Sequence, residues 1–272
     1  MSEKIFGISS KDANSIHPED DPRVYLNTYL GIDTHQLKVI NRPECEKDTN
    51  YRHFATYGII QDMTGRILVY PRSNGSAEER LHGNWSIGWG GHINASTHHV
   101  LTMTHSHDSN FVTDLFSIGT LREIAEEIFG IPEDVTNGQV NFISKTCTDN
   151  YYFKCYKDLI FEFDKNKKFT FLFDNSNEVG KRHIAVISRH VLTDYQVSVI
   201  GNTHETKGCK WMTLDEIKES IKNNSLKFEN WSKILIENFN DLPGCHQATA
   251  CQYGESPFAL GCDQKYINSR NS

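Results

Sequence analysis

Apolar and polar positions change period several times along the chain, and each change marks an element. From His53 to Tyr70, HFATYGIIQDMTGRILVY sets two β-rich runs either side of Asp62-Met63-Thr64-Gly65, a turn composition that predicts a hairpin. GNWSIGWGGHI, residues 83–93, holds too much glycine for a helix and predicts a short strand entering a tight turn whose backbone groups are the useful part. Residues 94–110 are polar, without period, and carry His98, His99, His105 and His107; they read as a surface loop. From about Asp114 to Phe129 apolar residues recur at 115, 118, 121, 125 and 128, the spacing of an amphipathic helix, which Gly130 and Pro132 stop.

Residues 139–200 supply β-like runs around QVNFIS, YYFKCYKDLIFEF, FTFLF and HIAVISRHVL, which predict a second portion of sheet. Thr213-Leu214-Asp215-Glu216 opens a helix through a Thr or Asp cap, and Trp231 to Phe239 makes another short helical segment. Residues 1 to about 22 are polar and sparsely apolar, and read as a mobile or loosely docked arm. The division expected is an N-terminal arm over 1–42, a catalytic domain over 43–240 with the insertion at 94–110, and a tail over 241–272.

At 272 residues the chain is long enough to bury a sizeable core, and 11% aromatic with 23% charged residues fits a globular protein. Its start has early charges and no hydrophobic block, unlike a secretory signal, and no apolar run approaches a membrane span. A cytoplasmic location without a membrane partner is the expectation. A formal charge of −7 speaks against a nucleic-acid partner gripped along its backbone, an RNA 5′ end excepted. Seven cysteines without a CxxC pair indicate reduced thiols rather than a disulfide framework or zinc ribbon.

Arg122-Glu123-Ile124-Ala125-Glu126-Glu127 carries the chemistry. At about 100° per residue, Glu123, Glu126 and Glu127 share one face, opposite Ile118, Leu121, Ala125 and Ile128. Crowded carboxylates on a rigid element suit Mg²⁺ or Mn²⁺; the alternative is a solvated acidic helix face.

With Gly91 upstream and Arg122–Ile131 running REIAEEIFGI, the sequence resembles the Nudix hydrolase family. TGRILVYPR, the Leu81–Trp85 run before Gly90-Gly91-His92, and Lys210–Glu216 are also similar to the family. RPECEKD, RLHGNWSIGWGGHIN, NEVGKRHIAV and ENWSKILIE look like a bacterial and phage subgroup assigned only as phosphoesterases. The resemblance covers roughly residues 43–238. Gly91 and Arg122 stand 31 positions apart against 14 in the short motif, an insertion of 17 residues that matches the histidine-bearing loop. Asp114 takes the place of the motif's first Glu and reads as a cap rather than a ligand, and one extra residue separates Glu127 from Gly130.

The resemblance implies an α+β fold, an α/β/α sandwich with a mixed sheet flanked by helices. It also implies metal-dependent hydrolysis of a diphosphate linkage in a nucleoside diphosphate derivative, by water attack on phosphorus. By position, Glu126 and Glu127 with the Gly90 carbonyl would hold Mg²⁺ or Mn²⁺. Glu123 would bind a further metal or orient the water, and Arg122 would hold Glu123 or Glu126. A later loop supplies the general base in many relatives, with Glu178 and Glu205 as candidates here. A homodimer paired through the sheets also fits the resemblance. A nucleotide-binding or sensor module without hydrolysis is the alternative reading, and a diphosphate isomerase a third, lacking a placeable Cys and Glu pair.

For the small nucleotide-derived substrate, Arg72 and Arg80 are candidates to grip phosphate, the other reading being solvated loop arginines. Trp89, ahead of the glycine turn, is the first choice among Trp85, Trp89 and Trp211 to stack a base, against packing in the core. Gly91 and His92 would border the phosphates, a structural hydrogen bond being the other role for His92. Weak zinc readings attach to the loop histidines and to Cys245, His246, Cys251 and Cys262.

Overall fold

The computed structural model describes residues 3–21, 24–27, 31–48, 50–72, 82–95, 111–130, 169–192, 194–198, 200 and 206–242. The predicted strands between 139 and 168, most of the histidine loop, the tail beyond 242, Arg80 and Glu205 lie outside the described residues.

The described strands are β1 (Lys4–Ser9), β2 (Val24–Asn27), β3 (Lys38–Asn41), β4 (Tyr51–Asp62), β5 (Ile67–Pro71), β6 (Trp85–Ser86), β7 (Gly88–Trp89), β8 (Thr170–Asp174), β9 (His183–Leu192) and β10 (Lys210–Met212). They join in one mixed sheet ordered β10-β5-β4-β9-β8-β2, with β1 and β7 on β4, β3 on β1 and β6 on β5. Only β4 and β9 run parallel among the described pairs, in register from His53↔His183 to Asp62↔Leu192. The described helices are α1 (Ser10–Ile16), α2 (Arg42–Cys45), α3 (Phe111–Glu127), α4 (Asp194–Ser198), α5 (Leu214–Lys222) and α6 (Asn230–Glu237).

Strand β4 is the axis, and its nearly continuous burial is that of a strand covered on both faces. Phe54 and Ile60 face Leu115, Phe116, Leu121, Ile124 and Ile128 of the α3 side. Tyr57 and Ile59 face the other way, toward Ile217 of α5 and Leu235 and Ile236 of α6. Helices on both faces of a mixed sheet make the α+β architecture, as expected.

The predicted hairpin is β4–β5, closed by the Asp62 carboxylate. It accepts the Thr64 and Arg66 N–H groups at 2.9 Å each and the Arg66 Nε–H at 2.7 Å. Burial pushes its pKa up, but the hydrogen bonds from Thr64 and Arg66 outweigh this and hold it below the usual carboxylate value. Thr213 caps α5 reciprocally with Glu216, a capping box.

The N-terminal segment corrects the expectation of a loose arm. Ile5, Phe6 and Ile8 of β1 are buried, and β1 pairs with both β3 and β4. Buried Arg52 donates to Asn14 Oδ1 and to Asn175 Oδ1, both at 2.9 Å, and Asn175 Nδ2 donates to the carbonyls of Pro18 and Asp21. A short apolar run flanked by charges resembles a tail until its partners, some 30 to 45 positions later, complete the pairing. No described helix is long and apolar enough to cross a membrane.

Candidate active site

Helix α3 brings its carboxylates to the glycine turn because its apolar residues dock on β4. Phe116 meets Phe54 edge-on at 4.9 Å and also packs on Phe171. The helix begins at Phe111, so Asp114 falls inside its first turn rather than at the cap position expected for it. The extra residue before Gly130 leaves the helix intact: Ile128 and Phe129 are both buried beyond its last turn.

The glycine turn is pinned from the sheet side. The Thr56 N–H donates to the Gly91 carbonyl at 2.8 Å, and the Gly91 N–H to Thr56 Oγ1 at 3.2 Å. Gly90 holds φ +146°, and a Cβ there would come within 2.5 Å of the Thr56 carbonyl oxygen. This left-handed, crowded position requires glycine.

From the other side the helix closes on the turn. The Gly90 N–H donates to Glu127 Oε2 at 2.8 Å, and a Cβ on Gly91 would lie 2.8 Å from Glu123 Oε2. Arg122, buried at the centre, donates through Nη1 to Glu126 at 3.0 Å. Its Nη2 donates to Glu123 and, at 3.2 Å, to the main-chain carbonyl of His92. Three carboxylates and one guanidinium leave two net negative charges beside two half-buried residues, Glu126 and Glu127. Hard oxygen donors with that residual charge fit a divalent Mg²⁺ or Mn²⁺. The helix face is therefore not a solvated acidic surface: Glu123 is buried and all three glutamates are engaged.

The other sequence candidates are dispersed. Trp89 is fully buried, its Nε1–H donates to the Leu68 carbonyl at 3.1 Å, and its ring packs on Tyr70 at 4.1 Å. It is a core residue, which corrects the expectation that it stacks a base. Trp85 carries Lys210 over its ring at 4.5 Å, and Trp211 packs partly buried against the α3-side core. Arg72 stands at the end of β5, donating to Tyr70 Oη at 3.0 Å. Glu178 is exposed and paired with Lys181 at 2.9 Å, whose hydrogen bond lowers its pKa. A general base gains nothing from that arrangement.

His92 is the second correction. Successive strand residues point to opposite faces, so Gly91 fronts α3 while the His92 ring emerges behind the sheet. It packs there against His53 and His183, at centroid distances of 4.8 and 5.6 Å, with Nε2 buried. It cannot border a phosphate held at the carboxylates.

Two groups escaped the sequence reading. One is a buried knot in which Glu229 accepts from Tyr57 Oη at 2.7 Å and Ser86 Oγ at 2.5 Å, while the Ile87 N–H donates to Ser232 Oγ at 3.1 Å. It anchors α6 beneath β6 and β7, the strands that lead into the glycine turn. The other is the histidine cluster; its only sequence signal is the repeated Arg-His-apolar-Ala at Arg52–Ala55 and Arg182–Ala185.

No family model matches the chain. It is 25% identical over 202 residues to protein YmaB of Bacillus subtilis (strain 168), a match covering 73% of this chain and 76% of that protein. Among solved structures it is similar to Tm1382, described as a candidate Nudix hydrolase. That match has TM-score 0.50 and 15% identity, over 88% of this chain and 99% of that one. A Nudix hydrolase from Alicyclobacillus acidocaldarius superposes with TM-score 0.40 and 13% identity, over 71% of this chain and 93% of that one. At such identity the likeness to Tm1382 is one of fold, and the chain has the mixed-sheet α+β fold of that Nudix-like neighbour.

Proposed function

We propose that this protein is a divalent-metal-dependent hydrolase of the Nudix type, which cleaves a diphosphate linkage in a nucleoside diphosphate derivative by water attack on phosphorus. The observation that carries this reading is the closure of the Arg122–Glu127 helix on the Gly90–Gly91 turn, with Glu123 against Gly91 and Glu127 on the Gly90 N–H. A fold alone would not carry it, since folds host many chemistries.

In this reading Glu126 and Glu127 hold Mg²⁺ or Mn²⁺, with the Gly90 carbonyl, and Glu123 orients the attacking water or holds a further ion. When bound, the ion neutralises the diphosphate and stabilises the leaving oxygen. Arg122 positions Glu123 and Glu126 by charge-assisted hydrogen bonds and shields them from mutual repulsion. The glycine turn lets the Glu123 carboxylate and Thr56 approach its backbone because it carries no side chains there.

The test is chromatography of products from ADP-ribose, nucleotide sugars, dinucleoside polyphosphates, NAD, nucleoside triphosphates and 5′-triphosphate RNA, with Mg²⁺ or Mn²⁺. Cleavage at a diphosphate, abolished by chelation and by Glu127→Gln, is the expected result, and the fragments name the second group. Ligand-induced thermal shifts on the same panel without cleavage would favour a binding or sensor module instead.

A further inference from the structure

Behind the glycine turn, on the face of the sheet opposite α3, three imidazoles meet. His53 of β4 lies directly across from His183 of β9, and His92 is bridged to Ala55, two residues along β4. Alternate residues of a strand and their cross-strand partners share a face, so all three rings emerge together on the α6 side. The rings of His53 and His183 are 4.0 Å apart, and Trp231 of α6 packs on His183. One ring nitrogen from each histidine lies within 4.8 Å of the other two; among the described residues no other group of three ligating side chains gathers so closely.

The hydrogen bonding of this cluster is incomplete in a particular way. His53 is fully buried, and among the described residues neither of its ring nitrogens has a hydrogen-bond partner; nor has His92 Nε2. Buried polar atoms are nearly always satisfied, so three orphaned nitrogens in one cluster call for a ligand. His183 complements them: its Nδ1 lies 2.7 Å from the Val179 carbonyl. A carbonyl only accepts, so Nδ1 carries the proton and the lone pair is on Nε2. That is how an outer carbonyl orients a metal-binding histidine. Burial, and secondarily the neighbouring imidazoles, Arg42 and Arg182, push the His53 pKa far below the ordinary value; burial does the same for His92, aided by Arg42 and His183.

We propose that His53, His92 and His183 form a transition-metal site of the zinc class, distinct from the carboxylate site on α3. Three imidazoles without a carboxylate suit Zn²⁺, Co²⁺ or Ni²⁺ and not Mg²⁺. Tetrahedral binding at about 2.0–2.1 Å sets neighbouring nitrogens about 3.4 Å apart, so rotating the rings inward by about 1 Å completes the set. A fourth position is left for water or another donor. The ion would clamp β4, β9 and the Gly-Gly-His turn together. Arg122 grips the His92 carbonyl from the α3 side, so the site holds the turn in place against Glu123 and Glu127 and is a positioning element.

The experiment uses the full chain, stripped with chelator and titrated with Co²⁺ and then Zn²⁺. One equivalent of Co²⁺ should give the visible absorption of a low-coordinate imidazole site, which Zn²⁺ displaces. His92→Gln and His183→Gln should each weaken binding at least about 100-fold while far-ultraviolet circular dichroism stays unchanged. Glu127→Gln, and a chain with His98, His99, His105 and His107 replaced by Ala, should keep the spectrum. X-ray absorption of Zn²⁺-loaded wild type, which needs no variant, should count three imidazoles. No bound ion in folded wild type, a carboxylate or thiolate ligand shell, undiminished binding in both glutamine variants, or binding lost with the loop histidines would each overturn the proposal.

Discussion

The α-carbon of Gly91 sits against the carboxylate of Glu123, so closely that a methyl group there would lie 2.8 Å from Oε2. The clash is with the end of a side chain, which can swing away. Gly91→Ala should therefore change stability by less than about 1 kcal/mol, yet move Glu123 and lower kcat/KM about 10²-fold. Gly90→Ala meets backbone at φ +146° and should cost about 2–4 kcal/mol in urea unfolding. Equal destabilisation by the two would contradict this assignment.

Arg122 is held between two carboxylates and a carbonyl, with its own side chain 8% exposed. Removing it as Arg122→Ala leaves Glu123 and Glu126 facing each other in a buried setting, and about 3–5 kcal/mol should be lost. Arg122→Lys keeps the charge but cannot span both carboxylates and the carbonyl, so it should recover only part of the stability. Full rescue by lysine in denaturant titrations would show that charge alone matters there.

The Glu229 knot predicts a graded series. Glu229→Gln keeps an acceptor for Tyr57 and Ser86 and should cost about 1 kcal/mol, whereas Glu229→Leu removes the acceptor both hydroxyls share, leaves Tyr57 to Ser232 and Ser86 to the Gly88 carbonyl, and should cost about 1–3 kcal/mol. Burial, then the Glu229 charge, push the Tyr57 pKa well above the ordinary tyrosine value. Alkaline ultraviolet titration should leave this ring protonated after the exposed tyrosines have ionised.

His190 gives the pH dependence a sign. Its ring packs over Gly58 with Ser188 Oγ 2.7 Å from Nε2, and burial lowers its pKa to about 3. An unfolded histidine takes up its proton near pH 6.5, while the folded one resists. Stability is thus fully present above about pH 6.5 and falls on acidification, by at most about 1.4 kcal/mol per pH unit. Urea unfolding between pH 7 and 5 should show a steeper loss for wild type than for His190→Gln; parallel curves would contradict the assignment.

The carboxylate helix, the Asp62 turn and the Thr213 cap were legible because each is written in residues a few positions apart. Pairings across the sheet were not. Strand β1 looks like a charged tail until residues 38–41 and 51–53 are set beside it, and His53 and His183 are 130 positions apart until the parallel register joins them. Trp89 and His92 were misread for a related reason. Each sits beside the Gly90–Gly91 turn in sequence, but burial on one face and pleating to the other remove both side chains from the carboxylates. The three glutamates were visible as a shared face and Arg122 as their partner, but the Gly90 N–H contact to Glu127 and the Arg122 grip on the His92 carbonyl were not.

Water attack on phosphorus at the α3 carboxylates is put to the test by running the nucleotide panel in H₂¹⁸O with Mg²⁺. The fragments should carry one ¹⁸O on a product phosphate, formed at a rate reduced at least about 10²-fold in folded Glu127→Gln. Label on carbon-bound oxygen, undiminished turnover in Glu127→Gln, or no cleavage of any panel member that the folded wild type binds would contradict it.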